Sequence, residues 1–88
     1  MGRDVLEEIE ALRRRKHNLK PRDLENVAMA AGWVYDRTTG SHIIYVKEGI
    51  REPLPIQNHS KVNGYLALRL LNQIEDSITK EEVEHDES

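Results

Sequence analysis

Between residues 33 and 57 the chain reads WVYDRT, TTGS, HIIYVKEGI and REPLPIQN. Runs of β-branched and aromatic residues separated by turn residues predict three short antiparallel strands. Such a sheet exposes two faces. Helices that flank the strands in sequence can both pack on one face, leaving the other to solvent or a partner. Pro53 and Pro55 alternate in the last run. Neither can donate to a ladder, so the third strand belongs at an edge, or both positions face outward.

The flanking segments carry helical patterns. In DVLEEIEALRRRKHN, the residues Val5, Ile9 and Leu12 form one stripe. Its carboxylates lie early and its Arg13–Lys16 run late, as the helix dipole favours. Asn18 to Pro21 interrupt the pattern, and Pro21 suits the first turn of a new helix, RDLENVAMAAG. Leu24, Val27, Ala28 and Ala31 share one face of that helix, and Gly32 is placed to end it. After the strands, NHSKVNG is a loop. A last helix, roughly YLALRLLNQIEDSI, buries Ala67, Leu70, Leu71, Ile74 and Ile78. KEEVEHDES is polar and acidic and is expected to be disordered. The predicted class is therefore α+β, with a helical extension over residues 1–18, a compact domain over 19–78 and an acidic tail over 79–88.

The totals narrow the chemistry. Eighty-eight residues suit one small domain, too small for a deep enclosed site, so chemistry would sit on an open face. With no cysteine, disulfides and thiolate metal sites are excluded. No apolar run approaches the ~20 residues that span a membrane, and MGRDVLEEIE lacks a secretory segment, so a cytoplasmic location is expected. The net charge of −3 is unevenly spread: +1 over residues 1–19, +2 over 20–74 and −6 over 75–88. The mildly basic centre permits a polyanion partner.

His42 is the first candidate for chemistry. An imidazole can accept and donate protons near neutral pH. Gly40 and Ser41 before it allow close backbone approach, and the turn amides and Ser41 hydroxyl suit phosphate oxygens. The same residues also describe a plain surface histidine opening a strand. His59, in QNHSK, is either a solvated loop residue or a second proton carrier across one phosphate. Arg37, Lys47, Arg51 and Lys61 lie around the corner in sequence, as phosphate contacts or as ordinary surface charge. The Arg13–Lys16 run is a second phosphate patch or a solvated helix end. Alternation would put Trp33 and Tyr35 on one side of the first strand, where aromatics can stack on RNA bases, although Trp33 is a core candidate. The histidines lie far apart in sequence and predict no metal site.

One order of motifs stands out. A short helix ends in Gly32-Trp33, a strand with Arg37 follows, and Gly40-Ser41-His42 opens the next strand. A proline-containing strand and a leucine-rich helix, Leu66 to Ile74, complete the series. Over roughly Leu19 to Ile74 this resembles the HicA toxin family, also called YcfA-like. The resemblance implies a fold like the double-stranded RNA-binding domain, α-β-β-β-α, here with an extra N-terminal helix. It implies a type II toxin that cleaves mRNA, needs no metal or other cofactor, and is neutralised by a HicB-like antitoxin. It also implies that His42 is the catalytic residue. On that reading His42 transfers protons as general acid or base. Arg37, Gly40, Ser41, Lys47, His59 and Lys61 contact the RNA. The alternative is a non-catalytic RNA-binding or protein-interaction module of the same fold.

Overall fold

The computed structural model describes residues 4–87, and side chains as far as Ile78. The acidic tail expected to be disordered, residues 79–88, lies beyond the residues whose side chains are described, and its backbone continues α3 as far as Glu87.

Helix α1 spans Val5–Arg14, and the Asp4 carboxylate caps it by accepting from the Leu6 amide at 3.1 Å. A 3-10 turn, Lys16–Asn18, leads to α2, Pro21–Ala30. Pro21 opens α2 and the Asp23 carboxylate accepts from the Lys20 amide at 2.9 Å, half of a capping box. Strands β1 (Val34–Thr39), β2 (His42–Val46) and β3 (Leu54–Gln57) follow, and α3 spans Gly64–Glu87. Asn63 starts α3 by accepting from the Tyr65 amide at 2.8 Å. The sheet is antiparallel in the order β1-β2-β3, so β3 lies at an edge, with Pro55 exposed and its neighbours Leu54 and Ile56 buried.

All three helices share one core. Ile9 and Leu12 of α1, Leu24, Val27 and Ala28 of α2, Leu54 and Ile56 of β3, and Ala67, Leu71 and Ile74 of α3 are buried together. Arg13 fastens α1 to α3 by donating to Asn72 Oδ1 at 2.6 Å and Glu75 Oε1 at 2.5 Å. The added N-terminal helix is thus packed into the domain through its apolar stripe, on the helical side rather than across the open sheet face.

Trp33 and Tyr35 both lie on the helical side of the sheet, not on its open face, and they differ in depth. Trp33 precedes β1, where its amide still bonds the Ala28 carbonyl at the end of α2. Its ring is buried and its Nε1 donates to Ser77 Oγ at 3.2 Å, while Tyr35 is 52% exposed.

Beneath the sheet, the Tyr45 hydroxyl donates to Glu25 Oε1 at 2.7 Å and ties β2 to α2. Burial, then the Glu25 hydrogen bond and charge, push the Tyr45 phenol up to about 12. The neutral phenol is therefore favoured by folding. Its contribution to stability is full below the ordinary tyrosine value of 10.0 and is lost as pH rises through about 12. In an ultraviolet titration, Tyr45 should ionise last of the three tyrosines. Loss of that late step in the Tyr45→Phe variant assigns it; its persistence contradicts the assignment. Separately, Ile9→Ala should cost about 2–5 kcal/mol in urea denaturation, as for a core cavity. A cost under about 0.5 kcal/mol, typical of a surface site, would show α1 to be loosely attached.

Candidate functional site: the hairpin corner at His42

β2 divides its side chains between two environments. Tyr45 is buried toward α2, and Ile43 packs against the core. His42, Ile44 and Val46 alternate with them and so face the open side. His42 is exposed and pairs with Thr39 of β1 and Gln57 of β3. Register partners share a face, so the imidazole is flanked by a threonine hydroxyl and a glutamine amide.

Gly40 and Ser41 form the two-residue turn between β1 and β2. Gly40 has φ 57°, and Ser41 is not among the residues of positive φ. That is the pattern of a type II′ hairpin, which places glycine at its first central position. The turn brings Thr39 opposite His42 and leaves Ser41 exposed.

Arg37 reaches the open face through a bulge. The register runs Tyr35 to Tyr45 and then Arg37 to Ile44, with Asp36 as the extra residue. Without that insertion Arg37 would pair with Ile43 and face the helices; the bulge re-aims it. Tyr35 stays on the helical side, edge-on to Tyr45 at 6.0 Å between ring centroids, with its hydroxyl 2.8 Å from Thr38 Oγ1. Arg37 is exposed and forms an ion pair with its neighbour Asp36. Exposed pairs of this kind contribute ~0–1 kcal/mol and exchange readily for another anion.

The corner also gathers the segment after β3. The Asn58 amide donates to the Ser41 carbonyl at 2.7 Å, one step beyond the Gln57–His42 pair. His59 comes next and is exposed, as is Lys61. The two histidines, 17 positions apart in sequence, thus lie at the same end of the sheet.

Lys47 does not join them. It follows Val46, so it points back to the helical side, where it is 7% exposed with Nζ 3.5 Å from Ser77 Oγ. A β-carbon on Gly32 would lie 3.2 Å from Lys47 Cε, and Gly32 has φ +98°, so glycine is favoured there on both counts. Expected as a phosphate contact, Lys47 is instead packed between the sheet and α3, because β2 alternation carries it away from His42. Arg51 is also removed from the corner: it lies in the β2–β3 connection, at the other end of the sheet.

Thr39 and Gln57 were missed from sequence. Counting back from the Gly40-Ser41 turn would have found Thr39, whereas Gln57 depends on the β2–β3 register, which no local motif encodes. Among the described residues, no three His, Cys, Asp or Glu side chains converge to hold a metal ion, and no helix is long and apolar enough to cross a membrane.

Gly40→Ala tests the turn. No atom lies within 4 Å of a β-carbon built there, so only the left-handed backbone penalises the change. A loss of about 1–2 kcal/mol in stability is expected. An unchanged denaturation midpoint would contradict the II′ geometry.

No curated protein and no solved structure matches the chain. A family model described as the HicA toxin of bacterial toxin–antitoxin matches residues 21–75. That span runs from the first residue of α2 into α3 and takes in the whole sheet, the bulge and the hairpin corner. With more than half its length matched, over a span that holds α2, the three-stranded antiparallel sheet and most of the part of α3 whose side chains are described, the chain belongs to the HicA toxin family of bacterial toxin–antitoxin systems.

Proposed function

We propose that this protein is an mRNA-cleaving endoribonuclease and that His42 carries the proton transfer. The observation that most supports this reading is the bond from the Asn58 amide to the Ser41 carbonyl, which brings His59 to the corner that His42 already occupies. RNA supplies its own nucleophile. As the 2′-oxygen bonds to phosphorus, the bond from phosphorus to the 5′-oxygen breaks. The proton leaving the 2′-hydroxyl is balanced by one delivered to the departing 5′-oxygen. A base, an acid and nearby cations suffice. His42 takes one proton-transfer role, and His59 is the candidate for the other. Arg37, aimed onto the same face by the bulge, neutralises the phosphate. The exposed Ser41 hydroxyl, the open Gly40 backbone and Lys61 complete the contacts. Lys47 has no part in this mechanism.

Family membership implies an antitoxin, and a HicB-like protein that covers the His42 face is the proposed partner. The open face offers it apolar surface: Val34 is 62% exposed and Val46 is 37% exposed, next to buried Ile44. Apolar patches of this kind mark interaction surfaces. They are also the observation that favours the second reading, in which the domain binds a partner but cleaves nothing.

Induction of the wild-type protein should arrest growth, and His42→Ala at equal abundance should not. With purified protein, His42→Ala should slow RNA cleavage by ~10²–10⁴-fold, the range for one positioned acid–base group, at unchanged RNA affinity. Cleavage by the variant at the wild-type rate would remove His42 from the chemistry. A harmless wild-type protein would favour the binding-module reading.

A further inference from the structure

The three longest stretches of the chain without a carboxylate are residues 11–22, 37–47 and 53–74. They are far apart in sequence but meet at one end of the fold. The second and third join where the Asn58 amide bonds the Ser41 carbonyl at 2.7 Å. The first and third join where the Val62 amide bonds the Leu19 carbonyl at 2.9 Å. The same junction is closed by His17, which lies over Gly64: a β-carbon there would come within 2.5 Å of its Nδ1. Val62 is four positions on from Asn58, at most about 14 Å of chain.

The segment 11–22 carries Arg13, Arg14, Arg15, Lys16, Lys20 and Arg22. Two of these face carboxylates. Arg13 is held by Glu10 and Glu75, and Arg15 lies 4.0 Å from Asp23. Lys16 is half-buried on the 3-10 turn and Lys20 is exposed on the linker into α2, where the Asp23 carboxylate accepts from its amide; both run beside the Lys61 loop. We infer that Lys16 and Lys20 extend the RNA site beyond the His42 corner. They form, with Lys61, a cationic track that holds the sugar–phosphate backbone of the strand entering that corner. Both lysines lie outside the span 21–75 matched by the family model, so the track is an addition made by this chain's N-terminal segment. The inference rests on the ribonuclease reading above.

The geometry fits phosphate contacts rather than base reading. Lysine is a flexible point charge without a bidentate fork, and it neutralises phosphates without selecting bases. Each phosphate neutralised on a single strand contributes ~0.7 to the slope of log K against log salt.

The test uses the full chain with His42→Ala, to separate binding from cleavage. Its probe is a fluorescein-labelled, mixed-sequence single-stranded RNA, titrated by anisotropy between about 50 and 200 mM salt. Adding Lys16→Gln and Lys20→Gln should lower the salt slope by about 1.4 and weaken binding about 25-fold at 100 mM salt. The weakening should be similar for unrelated RNA sequences. Arg51→Gln, at the far end of the sheet, removes one charge from the same protein and serves as the control for bulk electrostatics. Binding by the parent with an unchanged slope in the double variant would overturn the track and leave the His42 reading intact. An equal loss of slope per charge removed in Arg51→Gln would overturn it as well. A parent that binds no RNA would overturn the ribonuclease reading itself, and the track with it.

Discussion

The five residues of β2, HIIYV, hold the structure and its proposed chemistry together. Tyr45 and Ile43 turn inward, and Tyr45 is fixed to α2 through Glu25. His42, Ile44 and Val46 turn outward. A one-residue slip of this strand would exchange the two sets, burying the imidazole and exposing a core tyrosine. The apolar demand of the core therefore fixes the direction in which His42 points. Packing energy, rather than any bond to the histidine itself, presents it to solvent.

Three local devices then complete the corner. A glycine at φ 57° closes the hairpin so that Thr39 meets His42. The extra residue Asp36 lets Tyr35 face the helices while Arg37 faces outward. The β2–β3 register continues by one bond past the strand end and brings in the His59 loop. The helical side contributes by keeping carboxylates elsewhere. Glu7 and Glu8 lie in the first turn of α1, Glu10 is paired with Arg13, Glu25 is engaged by Tyr45 and Asp36 is paired with Arg37, which leaves Asp23, beside Lys20 and Arg15, as the nearby exception. The result is an end of the sheet rich in histidine and lysine on a chain that is acidic as a whole.

Much of the fold could be read from the sequence, because its patterns are local. The stripe Ile9 and Leu12, the face Leu24, Val27 and Ala28, and the run Ala67 to Ile74 each repeat at helical spacing and are all buried. The turn at Gly40-Ser41 announced itself through its residue types. What escaped depends on register and on packing between elements. Trp33 looked like a strand residue because its type suits strands, yet it sits in the turn that leaves α2. Lys47 looked like a free cation near His42, but one further step of alternation buries it near Ser77. The bulge at Asp36 has no signature in YDRT. The segment 1–18 read as an extension because a single amphipathic stripe does not say what it packs against; Arg13, bound to Asn72 and Glu75, gives the answer.

The most direct measurement is a two-dimensional NMR titration of the His42→Ala protein with a short single-stranded RNA. Amide shifts are expected at three places: Thr39 to residue 42, Asn58 to Lys61, and Lys16 to Lys20. The amides of α1 before Leu12 and those of the β2–β3 connection should stay still. Shifts confined to the outer faces of α1 and α2, with the hairpin corner unmoved, would contradict the assignment of the carboxylate-poor end of the sheet as the RNA site.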